Sequence, residues 1–234
     1  MNEASVDTNN DSAPDRTWSP LNPAQRRVFG VLIEKAKTTP DAYPLTLNAT
    51  TTGCNQKSNR APQTDYDTDD VQETLDSLRQ LGAVVEVQGD GRAPKFRHRA
   101  YDWLGVNKTE AAVLAELLLR GPQTLGELRS RAARMEAIAD LNALRPIIDM
   151  LLSRQLMAEL SPPGRGQVVT HGLYGEEEMA RLQKDTPQST PTPARSRPTT
   201  DSTSERITSL EAELSTLRDR VEILENRIES WESA

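Results

Sequence analysis

A chain of 234 residues with a net charge of −7, only 35% hydrophobic and 4% aromatic, has too little apolar material for one large core, so small helical domains with polar segments around them are expected. The longest apolar stretch, 111–119, is interrupted by Glu116 and falls far short of the roughly 20 residues that cross a bilayer, which excludes a membrane-spanning helix and makes a membrane partner unexpected. The single cysteine, Cys54, excludes an internal disulfide or multi-cysteine metal site, and with an acidic N-terminus that lacks a basic-then-apolar leader the expected compartment is the cytoplasm.

Residues 1–18 are polar and acidic and carry almost no large apolar side chain, so they read as a disordered extension. A first domain is expected over 19–102. Asn22 is placed to cap a helix that Pro23 opens, and Val28, Phe29, Leu32, Ile33 and Ala36 recur at helical spacing. Two prolines between Thr38 and Pro44 end that helix, and a second short helix is expected from about Leu45 to Cys54. A third starts near Thr68, with Val71, Leu75, Leu78 and Leu81 on one face and Gly82 closing it. Residues 83–87 and 95–100 then flank Gly89-Asp90-Gly91, a hairpin signal. Three helices and a hairpin in about 80 residues make the winged form of the helix-turn-helix unit.

The same order recurs over 103–183. Val113, Leu114, Leu117 and Leu118 repeat Val28, Phe29, Leu32 and Ile33 at a constant offset of 85, and Leu144, Ile148, Leu151 and Leu160 repeat Val71, Leu75, Leu78 and Val87 at 73. A short helix from Thr124 to about Ala133 and a second wing around Pro162-Pro163-Gly164-Arg165-Gly166 complete the copy. Pro146 lies inside the third helix of this copy, so its regular part is expected to begin close to that residue.

Residues 184–204, rich in Pro, Thr and Ser, read as a flexible linker. Over 205–232 a heptad pattern places Ile207, Leu214, Val221 and Ile228 at one seam position and Leu210, Leu217, Leu224 and Trp231 at the other. β-branched residues at the first and leucine at the second favour two parallel strands. The flanking pairs agree, because Arg206 with Glu211, Glu213 with Arg218, Arg220 with Glu225 and Arg227 with Glu232 are all attractive in a parallel homodimer. The fold class is therefore mainly α with small β-hairpins: two tandem winged helix-turn-helix domains, a flexible linker and a C-terminal parallel coiled coil. A lone amphipathic helix and a trimer are the other readings of the last segment.

Several runs resemble those of a known family: Val31-Leu32-Ile33-Glu34-Lys35, Thr38-Thr39-Pro40-Asp41, Tyr43-Pro44-Leu45, Cys54-Asn55-Gln56-Lys57-Ser58-Asn59-Arg60, and Glu116-Leu117-Leu118-Leu119-Arg120-Gly121-Pro122-Gln123-Thr124 with Gly126-Glu127-Leu128-Arg129. On these residues the stretch from Leu21 to Glu177 resembles the YceH family of uncharacterised bacterial proteins. The resemblance implies a pair of winged-helix domains and supplies no activity, ligand or catalytic residue. The N-terminal extension and the heptad segment fall outside it.

Residues 21–101 hold eleven basic against ten acidic side chains, whereas 1–20 hold one against four and 184–234 seven against ten, so most of the negative charge lies outside the first folded unit. The polar run from Cys54 to Arg60 has two readings: donors such as Lys57 and Arg60 that meet phosphates and base edges, or residues that cap helices and hold the loop. Cys54 itself reads as a buried small apolar group. The first wing carries Arg92, Lys95, Arg97, His98 and Arg99, which read either as a basic hairpin that grips the minor groove or backbone of DNA or as a solvated edge strand. Against it stands a third helix opening with Asp67, Asp69 and Asp70 and continuing through Glu73 and Asp76, carboxylates that repel phosphate. Arg129, Arg131, Arg134, Arg145, Arg154 and Arg165 in the second copy read as a solvated face. No catalytic motif, metal-ligand spacing or cofactor signature is found. The expected function is a non-enzymatic dimeric DNA-binding regulator that uses Lys57, Arg60, Arg92, Lys95, Arg97 and Arg99; the alternative is a winged-helix adaptor for a protein partner.

Overall fold

The structure, a computed structural model, describes residues 18–88 and 93–185. The expected N-terminal extension up to residue 17, the linker from residue 186, the heptad segment with its homodimer seam, and the turn from Gly89 to Arg92 lie outside the described residues; at the inner ends of those stretches the bounds are corrected, because Trp18 is buried in the core and Lys184 and Asp185 still belong to a helix.

The described part is mainly helical with two small antiparallel sheets. In chain order it runs α1 (Pro23–Thr38), a 3-10 turn (Pro40–Ala42), β1 (Leu45–Thr46), α2 (Leu47–Cys54), α3 (Thr68–Gln80), β2 (Val84–Gln88), β3 (Pro94–His98) and α4 (Ala100–Trp103). It continues with α5 (Lys108–Arg120), β4 (Gln123–Thr124), α6 (Leu125–Ala132), α7 (Leu141–Ser153), β5 (Met157–Glu159), β6 (Val168–His171) and α8 (Glu176–Asp185).

Local chemistry sets the helix starts. The Asn22 side chain accepts from the Gln25 backbone N–H at 2.9 Å while the Gln25 side chain accepts from the Asn22 N–H at 2.8 Å, a reciprocal cap with Pro23 just inside it. Asn107 and Glu110 do the same for α5. Every residue from Gln25 to Glu34 in α1 and from Glu110 to Leu119 in α5 is buried, the mark of helices enclosed on all sides. They pack against each other. At Gly30 a Cβ would lie 3.1 Å from Leu118 and Leu119 side-chain atoms, so the bare backbone there lets the axes approach. The residues matched at offset 85 all belong to this shared core.

Around each central helix the same elements repeat. Val71, Leu75 and Leu78 of α3, and Leu144, Ile148 and Leu151 of α7, turn inward at matched positions, and Asp67 and Asp140 cap the two helices. The sheet orders correspond as well, β1-β3-β2 and β4-β6-β5. Two expectations need correction. Helix α7 starts at Leu141 rather than near Pro146, because the Asp140 side chain accepts from the Ala143 N–H at 2.8 Å. The amide that Pro146 lacks would have bonded the carbonyl of Asn142, an exposed residue whose oxygen water can satisfy. The short helices expected from Leu45 and Thr124 begin two and one residues later, after the chain pairs Leu45 with Phe96 and Gln123 with Val169. Finally, the Leu21 N–H donates to the Leu173 carbonyl at 2.9 Å, tying the first described residues to the end of the second copy.

Candidate nucleic-acid interface

Strand β3 alternates as a half-buried strand should. Phe96 and His98 face the core, Arg97 is exposed and Lys95 half-buried on the opposite face. Register puts Lys95 across from Val87 on one side and Thr46 on the other, with Arg97 across from Val85. The outer face of this sheet therefore presents Lys95 and Arg97 among neutral neighbours. Arg99 is exposed but turns toward Asp102 at 3.4 Å and shares a groove with Asp76, Arg79 and Glu86, so its charge is offset locally. Arg92 lies outside the described residues. His98 is inward: its Nδ1 accepts from the Ala100 N–H at 3.2 Å and its own N–H donates to the Tyr43 hydroxyl at 2.6 Å. Burial first, then the nearby Lys37 and Arg97 charges, lower its pKa to about 4, so it is neutral and contributes no cation to this sheet.

Lys57 is exposed and lines an open groove of about 740 Å³ along α2, shared with Lys35 of α1, Thr51, Thr52, Asn55 and Gln56. No carboxylate lines it. The Lys35 ammonium donates to the Gln56 side chain at 3.2 Å. Lys35 was not among the expected contact residues. Its signal was its position near the end of α1, one turn before the helix stops. The polar run divides between its two readings, since Asn55 is spent holding Tyr66 through both its amide oxygen and nitrogen, whereas Lys57 and Ser58 face solvent.

Arg60 does not belong with them. Its side chain is completely buried and bonds Glu34 with both terminal nitrogens, at 3.1 and 2.5 Å, and the Gly53 carbonyl with Nε at 2.9 Å. A guanidinium committed to a buried carboxylate is closed to phosphate, which removes Arg60 from the candidate set. Arg134 bridges Glu34 and Glu116 at 2.6 and 3.1 Å, and Arg120 meets Glu116 at 2.9 Å and bonds Asn59. Burial opposes ionisation of Glu34, but bonds and charge from Arg60 and Arg134 outweigh it and hold the carboxyl below its usual range. Cys54 is buried beside this cluster. Burial pushes its thiol up to about 12 despite the pull of Arg27 and Arg60, as the reading of a packed apolar group expects.

Acidic charge collects on α3, where Asp69, Asp70 and Glu73 are exposed. The arginines of the second copy divide: Arg145 and Arg165 are exposed, as the solvated-face reading expects, whereas Arg129 donates to the Ile138 and Ala139 carbonyls, Arg131 to Gln123 and Glu127, and Arg154 to the Leu104 and Gly105 carbonyls. Together with Arg134, these hold loops and cap helices. Among the described residues no cluster of three or more His, Cys, Asp or Glu side chains could hold a metal ion, and no helix is long and apolar enough to cross a membrane.

A family model described as a protein of unknown function, DUF480, matches residues 21–165. The chain is 52% identical over 182 residues to UPF0502 protein RB6530 of Rhodopirellula baltica, covering 78% of this chain and 75% of the relative. It is 42% identical over 201 residues to UPF0502 protein GSU0233 of Geobacter sulfurreducens, covering 84% and 90%. A UPF0502 protein of Paracidovorax citrulli is 46% identical over 176 residues, covering 72% and 75%.

Proposed function

The chain belongs to the DUF480 family of uncharacterised bacterial proteins, the UPF0502 family in which YceH falls, and we propose that it is a non-enzymatic, cytoplasmic DNA-binding protein built from two tandem winged helix-turn-helix units. The repeated order of helix, short strand, two helices and hairpin supports the architecture. One observation carries the function: Lys35 and Lys57 line a groove along α2 that no carboxylate lines, and Lys95 and Arg97 stand on the outer face of the neighbouring strand β3. Lys95 stands opposite Thr46, the N-cap of α2, and Lys57 follows its C-terminal end. Eight helical residues span about 12 Å, or about three to four base-pair rises of 3.4 Å.

The contacts are with the DNA backbone. Acidic α3 stays out of the major groove, so binding depends on salt more than on sequence. Dimerisation through the heptads of 205–232 raises the strength of two weak modules. The test is fluorescence anisotropy of a labelled duplex with the full chain over a range of salt. Binding is expected to weaken with salt, and in the triple variant Lys57→Ala, Lys95→Ala, Arg97→Ala the log–log salt slope falls by about 2 to 3. Absence of any salt-dependent binding at low ionic strength sinks the reading.

A second reading, an adaptor for a basic protein partner, draws on the exposed carboxylates Asp69, Asp70 and Glu73 of α3. Affinity purification that recovers no stoichiometric partner through that face counts against it.

A further inference from the structure

A cavity of about 310 Å³ lies where α1, α5, the end of β6 and α8 meet, at the small end of the range for ligand pockets. Its charged lining is Arg26 and Arg27 from α1, Arg120 from the last turn of α5, and Glu178 from α8, a formal balance of +2. His171 adds nothing to this, because burial and the Arg26 charge keep it neutral.

The three arginines differ in how they are held. Arg120 is engaged by Glu116 and Asn59. Arg27 is 4% exposed, and its hydrogen bonds run to the carbonyl oxygens of Cys54 and Pro62, at 3.3 and 2.5 Å, rather than to a carboxylate. The Glu34 charge acts on Arg27 without a hydrogen bond to it, and the Arg60 charge opposes it, so a buried cation hydrogen-bonded only to carbonyl oxygens favours a further anion close by. Arg26 donates to the Leu21 carbonyl at 2.6 Å, lies over the Tyr174 ring at 4.5 Å from its centroid, and grips both Glu178 oxygens at 2.8 and 2.5 Å. Two parallel N–H···O bonds are the geometry in which a guanidinium recognises a free carboxylate or phosphate.

Glu178 is the more exposed partner in this pair. Helix α8 buries none of its residues, and the Glu178 side chain is 42% exposed. The bond to Arg26 and the edge of Leu182 at the cavity hold the helix down.

We propose that this cavity binds a small anion bearing phosphate or carboxylate groups, and that the Glu178 carboxylate occupies the Arg26 fork until the ligand replaces it and releases α8.

The test uses the full chain with inorganic phosphate and, separately, succinate at millimolar concentration, with chloride of matched ionic strength as the blank. Calorimetric titration and trypsin cleavage after Arg181 are the two readouts. The wild type should bind saturably, with cleavage rising as the cavity fills. Glu178→Gln, a substitution at a half-exposed side chain, should bind at about tenfold lower concentration and be cut faster after Arg181 without ligand. Arg26→Gln should lose binding while keeping its helical circular dichroism. A preference between the two anions identifies the head group. Absence of saturable binding in Glu178→Gln overturns the proposal without reference to the arginine variant, and so does equal affinity in all three proteins. Duplex DNA displacing phosphate in an Arg26-dependent way also overturns it, by giving the cavity to a nucleic-acid backbone.

Discussion

Arg60 and Glu34 form an ion pair at 2.5 Å with side chains 0% and 2% exposed, joining the loop after α2 to the central helix. Neither charge has a route to water. Removing one partner of such a pair leaves an uncompensated buried charge, a loss of about 3–5 kcal/mol. Since Arg134 still reaches Glu34 at 2.6 Å, Arg60→Ala is expected to cost about 2–4 kcal/mol, read as a lower urea midpoint. Stability within 1 kcal/mol of wild type, with weakened DNA binding, would return Arg60 to the surface role first expected of it.

Acid should weaken the fold through its histidines. His98 has a folded pKa of about 4 because it is buried, against about 6.5 when unfolded. A depressed folded value means that stability is full above about pH 6.5 and is lost as pH falls toward 4, by at most about 3 kcal/mol at 1.36 kcal/mol per unit. Buried His171 acts in the same direction. Urea midpoints should therefore drop between about pH 7.5 and 5. In His98→Asn, whose side-chain oxygen can replace Nδ1 as acceptor for the Ala100 N–H, the drop should be smaller but not absent. An unchanged slope in that variant contradicts the assignment.

The Cys54 thiol, raised to about 12 by burial, should be inert to a thiol-specific disulfide reagent in buffer and react at once in concentrated urea. Rapid stoichiometric reaction of the native protein would show that the α2 end opens readily.

If α3 repels DNA, neutralising it should help. Asp69→Asn with Glu73→Gln removes two exposed charges and leaves the Asp67–Asp70 capping pair intact. Duplex affinity at low salt is expected to rise about three- to tenfold. A fall in affinity would mean that these carboxylates make contacts of their own, which favours the adaptor reading.

Much of this was legible beforehand because its causes are local or periodic. Asn22 and Pro23 announce α1, and the offsets of 85 and 73 mark the repeated helical faces. Strands β1 and β4 were not, for two-residue segments such as Leu45–Thr46 exist only through pairing with Phe96 and Lys95 some 50 positions away. Nor was the fate of Arg60: an arginine at the end of a run of polar donors reads as solvent-facing until Glu34 is found beside it. Helices α4 and α8 escaped because they bury one residue and none respectively, leaving no apolar stripe to read.

The packing of α1 on α5 across Gly30 also has a temporal side. The two helices stand about 85 residues apart in the chain, and at synthesis rates of about 5–20 residues per second α1 waits roughly 4–17 s on the ribosome for the surface that covers it. During that interval one flank of a helix meant for complete enclosure meets solvent and other nascent chains. Substitutions along this contact, a side chain at Gly30 foremost, should thus show first in the yield of folded protein and only afterwards in the behaviour of the molecules that complete the fold.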